Sequence, residues 1–420
     1  MQTGAGRGVL RSLTPDGRLL FLTRFIRLFS YGSISVVLVF YLTRLGLSES
    51  QTGLLLTLTL LGDTAVSLWM TTHADRIGRR RTLLAGAALM AGAGLTFAFT
   101  KQAWLLTLAA TIGVISPSGN EVGPFLSIEQ AALTGVVSDR ARTQTFAWYT
   151  LAGAFATAAG ALSAGVLTQG LERSAGLSPL ASERAIVLVY AGMGLVLGLL
   201  FLRLSPGAEA AQAEEPAEPA RTLLGIGESR GVILKLSGLF ALDAFGGGFV
   251  VQSLAAYWFY LRFHVNPATL GGIFFWANVF AGISALLASR LAARIGLIRT
   301  MVFTHLPSNI LLILVPLMPN LKLAIAVLLL RFSISQMDVP TRQSYTMAIV
   351  RPEERSAAAG VTGVARTTGA AIAPTLAGFL LGQPSLINVP FFLAGGLKIA
   401  YDLLLYRAFV RVPPPEETAR

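Results

Sequence analysis

The chain has 420 residues, 54% of them hydrophobic and only 13% charged, with a formal net charge of +12. A soluble domain carries about 25% charged residues, so this balance, with a mean hydropathy of +0.65, points away from a soluble enzyme and toward a chain that lives in a bilayer. Cysteine is absent, which removes disulfides, thiolate nucleophiles and thiolate metal sites.

Apolar stretches near the length that a spanning helix needs, about 20 residues, recur along the chain. Span 1 is expected at 19–42, with Arg24, Arg27 and Tyr31, and span 2 at 51–72, with Asp63. A dense basic hairpin follows: Asp75, Arg76, Gly78, Arg79, Arg80 and Arg81. Span 3 is expected at 82–100. Span 4, at 103–137, reads as one long helix, polar at intervals, with Glu121 and Glu129. Span 5, at 143–167, is rich in Gly and Ala, which let helix backbones approach closely in lipid. Span 6 is expected at 185–204.

From 205 to 220 the composition shifts to Pro, Glu and Ala, a linker without the means to build a core, and 222–230 fits an interfacial helix. Span 7 is expected at 232–260, with Asp243 and Gln252, and span 8 at 270–287. A weaker basic hairpin, 292–300, leads to span 9 at 300–317, with His305. Span 10 (323–350) carries Arg331, Asp338 and Arg342. Span 11 (356–381) carries Arg366, and span 12 (386–410) carries Lys398 and Asp402.

The hairpin echo belongs to a wider repeat. Phe40, Tyr41, Leu42 and Gly53 match Phe259, Tyr260, Leu261 and Gly272 at one offset, and Gln130 and Arg142 match Gln343 and Arg355 at another. Duplicated six-helix halves joined by a linker are the sequence sign of a secondary transporter. The expected fold is an all-α membrane protein with twelve transmembrane helices in two pseudo-symmetric six-helix bundles. Its parts are an N-terminal bundle over 1–204, a cytoplasmic linker over 205–231, a C-terminal bundle over 232–412 and a cytoplasmic tail over 413–420. With the N-terminus inside, the cytoplasmic segments hold more than three times as many Lys and Arg residues as the outer ones. That asymmetry puts both termini in the cytoplasm of a multi-pass cell-membrane protein and accounts for the positive charge without nucleic acid.

Charges inside the spans are the candidate functional residues, because a charge at mid-bilayer costs about 2.5–3.5 kcal/mol even on insertion scales. Asp63 lies twelve residues before Asp75, roughly 18 Å into the membrane at about 1.5 Å per residue. Asp338 and Arg366 have similar depths, which makes a pair between them geometrically possible. Glu121 and Glu129 are expected to face one cavity, and Lys398 and Asp402, four apart, to form a structural pair. His305 reads as a satisfied polar residue. An acid in an apolar cavity holds a proton more readily, so Asp63, Glu121, Asp243 and Asp338 are the candidate proton-coupling residues. Arg24, Arg27, Tyr31, Gln252 and Arg366 are the candidates for cavity lining or charge pairing. No Walker loop and no His metal spacing is present, so neither an enzyme nor a cofactor is expected beyond a proton gradient.

The first hairpin resembles that of the major facilitator superfamily, whose pattern is G-x-x-x-D-R-x-G-R-[RK]. Asp75, Arg76, Gly78, Arg79 and Arg80 match it, and Thr71 replaces the leading Gly. In the second hairpin Ala293 stands at the acid position. Span 5 has no proline, so the family's antiporter signature is not matched there. The resemblance implies a central cavity, alternating access, and a gating role for the hairpin with Asp75 as a latch. It also makes spans 1 and 7 face one another, which predicts an Arg24–Asp243 contact. The expected function is secondary active transport of a small organic solute, proton-coupled, with efflux favoured, by a monomer in the lipid bilayer. A facilitated-diffusion or uptake carrier of the same fold is the alternative, and a non-transporting receptor is the third reading.

Overall fold

A computed structural model describes residues 13–136, 139–209, 227–351, 354–412 and 414. Two expectations fall outside these residues: the linker over 210–226 with most of its interfacial helix, and most of the tail. The described residues form helices and no strands. In chain order the helices are α1 (Pro15–Arg44), α2 (Glu49–Ile77), α3 (Arg79–Phe99), α4 (Ala103–Ile112), α5 (Phe125–Val136), α6 (Asp139–Ser174), α7 (Pro179–Phe201), α8 (Arg230–Gly248), α9 (Gln252–Phe263), α10 (Pro267–Ile295), α11 (Leu297–Leu314), α12 (Leu321–Phe332), α13 (Asp338–Ile349), α14 (Arg355–Leu381) and α15 (Val389–Phe409). Among the described residues, ten helices are long and apolar enough to cross a membrane. The two expected spans missing from that set are broken ones.

Span 4 is not the continuous helix expected. It is α4 and α5 with a non-helical stretch, 113–124, between them. The chain breaks because Pro117 and Pro124 lack an N–H and disfavour helix in the residue before them. Gly119 and Gly123 take φ of +71° and +78°, a region open to glycine. Non-helical backbone at membrane depth must find partners inside the protein. Here Tyr190 donates to the Val114 carbonyl. Tyr31 donates to Val122 O at 3.2 Å, Thr157 to Gly119 O at 3.2 Å and Ser116 to Asn120 O at 2.7 Å. Span 10 is likewise α12 and α13 around a turn at 333–337, and span 7 is α8 and α9, parted after Gly246-Gly247-Gly248.

The helices divide between two compact units. One takes Met1–Leu47, Leu61–Glu215 and Val265–Phe275; the other takes Ser48–Leu60, Pro216–His264 and Trp276–Arg420. Each unit is pinned by glycines at helix crossings. In the first, α1 meets α6 where Gly32 lies against the Thr157 backbone and Gly160 against the Phe29 carbonyl. In the second, α8 meets α14 where Gly248 lies against the Ala370 carbonyl and Gly369 against Ala241. The repeat reappears inside each unit: Gly165 packs on Gly271 in the first, and Gly53 on Gly378 in the second. Both hairpin glycines, Gly78 and Gly296, have positive φ, +103° and +88°.

These crossings leave no room for a methyl group. Gly160→Ala and Gly369→Ala are each expected to destabilise the protein by about 1–3 kcal/mol, the usual result of overpacking. Gly192 has open space at its Cβ position, so Gly192→Ala is the matched control and should be neutral or slightly stabilising. Thermal unfolding in detergent measures all three.

Candidate functional site

In the first unit α1 carries Arg24 and Arg27 three residues apart, on one face. Arg27 is fully buried. It forks onto the Glu129 carboxylate at 2.6 and 2.7 Å, the bidentate geometry that makes such pairs strong. It also reaches Glu121 at 3.2 and 3.3 Å. Arg24 forms an ion pair with Glu121 at 2.5 Å and lies 4.3 Å from the Tyr149 ring centroid. Tyr149 and Thr23 complete the shell by donating to Glu129, Thr23 at 3.0 Å. Glu121 and Glu129 therefore meet on Arg27, brought there by the break in span 4.

Asp63 has a different setting. Its carboxylate accepts the Gly123 backbone N–H at 2.6 Å and the Ser67 hydroxyl at 3.2 Å. Among the described residues no basic side chain stands at ion-pair distance from it. Tyr31, expected in a cavity wall, serves the same broken stretch through Val122.

In the second unit Asp243 of α8 accepts from Lys398 of α15 at 2.6 Å and Arg342 of α13 at 3.2 Å. His305 Nε2 lies 3.7 Å away. Arg342 also pairs with Asp338, one turn before it, at 3.1 Å. His305 Nδ1 lies 2.8 Å from Asp402, which accepts from Asn309 at 2.9 Å. Three suggested pairings are therefore corrected. Arg24 and Asp243 are engaged inside their own units. Asp338 pairs with Arg342, not Arg366. Lys398 and Asp402 do not pair with each other, because α8 and α11 bring closer partners to each. Gln252 accepts from Asn278 at 3.0 Å.

The two networks are related by the repeat with their signs exchanged. The offset that relates Gly53 to Gly272 relates Arg24 to Asp243, and the offset that relates Gln130 to Gln343 relates Glu129 to Arg342. In one unit an arginine on the first helix meets an acid on the broken helix. In the other an aspartate on the first helix meets an arginine on the broken helix.

At the first hairpin, Asp75 is mostly exposed and pairs with Arg79 at 2.8 Å. The start of α3 is capped from the linker: Glu209 accepts the backbone N–H of Arg79 at 2.6 Å and of Arg80 at 3.1 Å. A carboxylate there also meets the positive end of the helix dipole. Glu209 escaped the sequence reading because linker composition carries no sign of a cap. At the far end of the linker, Glu354 accepts the backbone N–H of Gly227 and of Ser229, the latter at 3.0 Å. The hydrogen bond from the Ser229 side chain, with those amides and Arg351, holds the Glu354 carboxyl below its ordinary value. A depressed acid contributes stability above its unfolded value of 4.5 and loses it as pH falls through the lower folded value. Protection of the Gly227 and Ser229 amides, as the observed exchange rate against the intrinsic rate at each pH, should therefore be highest near neutrality and fall in acid. Glu354→Gln should lower that protection near neutrality and match the parent in acid.

The Major Facilitator Superfamily model matches residues 20–337 and 238–420. An uncharacterized membrane protein of Saccharomyces cerevisiae, YJR124C, is 31% identical over 426 residues, covering 94% of each chain. Among solved structures, the nucleoside transporter NupG superposes with a TM-score of 0.72 at 13% identity, covering 94% of this chain and 99% of NupG. A bacterial homologue of the iron transporter ferroportin in its inward-facing state gives 0.71 at 14% identity, covering 93% and 98%.

Proposed function

As this chain belongs to the major facilitator superfamily, we propose that it is a proton-coupled secondary carrier of a small organic solute working by alternating access, with Asp63 as the proton site. Among the described membrane-embedded acids, Asp63 alone has no basic partner at ion-pair distance, and that observation carries the reading. Glu121, Glu129, Asp243 and Asp338 would each have to weaken an ionic contact to take a proton, and Asp402 its contact with His305. Asp63 would not.

The consequence of protonation follows from its two hydrogen bonds. A charge-assisted bond is roughly twice as strong as a neutral one, so a proton on Asp63 weakens its hold on Gly123. Gly123 stands two residues after Glu121, which binds Arg24 and Arg27. Proton occupancy thus reaches the ionic network through the broken stretch of span 4. Discontinuous helices are where secondary transporters gather ions and substrates. The Lys and Arg asymmetry supports a cell-membrane orientation with both termini inside.

Reconstitution into vesicles holding a pH-sensitive dye tests the reading. Solute-dependent proton flux supports it. Solute movement without proton flux replaces it with facilitated diffusion, and the absence of any solute movement returns the receptor reading.

A further inference from the structure

The charges within the spans of the second unit do not cancel. Asp243, Asp338 and Asp402 stand against Lys398, Arg342 and two further guanidiniums, Arg331 at the end of α12 and Arg366 within α14. Leaving His305 aside, four bases face three acids. Among the described residues, neither Arg331 nor Arg366 has a carboxylate at ion-pair distance, and the Nε of each is buried without a hydrogen-bond partner. Both lie within electrostatic reach of Asp243 and Asp338, but Lys398 and Arg342 already occupy those acids. Arg331 lies 4.9 Å from the Phe332 ring centroid, a contact that satisfies none of its N–H groups.

A guanidinium kept without a counter-charge at membrane depth is a liability, and such residues mark substrate or ion pathways. Its planar fork of donors matches the oxygens of a carboxylate or a phosphate. We propose that Arg331 and Arg366 form an anion subsite in the second unit, and that the transported solute carries a carboxylate or phosphate group. This rests on the carrier reading above and names its substrate class.

Two properties follow. Removing a half-buried charge that has no carboxylate partner relieves the protein without ligand, so Arg331→Gln and Arg366→Gln should melt no lower than the parent. A charged hydrogen bond to the ligand is lost at the same time, so anion binding should weaken by about tenfold or more.

The test is a thermal-shift titration of the full chain in neutral detergent with charge-matched pairs: succinate against succinamide, glycerol 3-phosphate against glycerol, and phosphatidylglycerol against phosphatidylcholine. The expected result is stabilisation by a soluble anion and not by its neutral counterpart, reduced in both variants. Four results overturn the proposal: no soluble anion stabilises the parent, the shift survives both substitutions, only the anionic lipid is effective, or either variant melts well below the parent. Proton flux driven by a neutral solute would also overturn it while leaving the carrier reading intact.

Discussion

Arg27→Gln should destabilise the protein by about 3–5 kcal/mol, the usual loss when one partner of a buried ion pair is removed. The size comes from what the substitution leaves behind. Glu129 is fully buried and would keep only the hydroxyls of Tyr149 and Thr23. Glu121 would keep Arg24. An uncompensated carboxylate at this depth has no water to turn to. Removing both charges should undo most of the loss, because replacing a buried pair by apolar groups of similar volume is often neutral or stabilising. Arg27→Met with Glu129→Leu should therefore melt close to the parent, while either single change melts far below it. Unfolding of the four proteins in one detergent forms a double-mutant cycle. Additive losses would mean that Arg27 and Glu129 are not coupled.

Asp243→Asn should have an effect of the same size in the second unit. Three groups lean on that carboxylate, Lys398 at 2.6 Å, Arg342 at 3.2 Å and His305 at 3.7 Å. Arg342 retains Asp338, so Lys398 is the charge left stranded. The expected loss is about 3–5 kcal/mol, and Lys398→Met added to Asp243→Asn should recover much of it. Lys398→Met alone should be costly too, since Asp243 would then rest on Arg342 and His305. If the double variant melts as low as Asp243→Asn, Lys398 is not the partner that matters.

The architecture was legible in the sequence because it rests on composition and period. Apolar runs of spanning length and the glycine turns at Gly78 and Gly296 are local signals, and the offset that pairs Gly53 with Gly272 is a repeat that direct comparison of the two halves reveals. The break in span 4 was signalled by Pro117, Gly119, Gly123 and Pro124. It was overlooked because the apolar run continues through them, and hydropathy does not register a missing N–H. The ion-pair partners were not legible. Lys398 and Asp402 are neighbours along α15, yet each finds a better partner on an adjacent helix, and helix packing decides that at ångström scale. Glu209 and Glu354 lie in polar segments where nothing local distinguishes a capping acid from a solvated one.

Asp63→Asn separates the proton from the fold. Asparagine keeps an acceptor for Gly123 and Ser67 and no base loses a partner, so the stability loss should be about 1 kcal/mol, the charge assistance of those bonds, well short of the loss at Arg27 or Asp243. The decisive measurement compares two transport modes of this variant in vesicles: accumulation driven by a proton gradient, and exchange of labelled for unlabelled solute with no gradient. The proposal predicts that accumulation is lost and exchange persists. Accumulation at the parent's level in Asp63→Asn would contradict it.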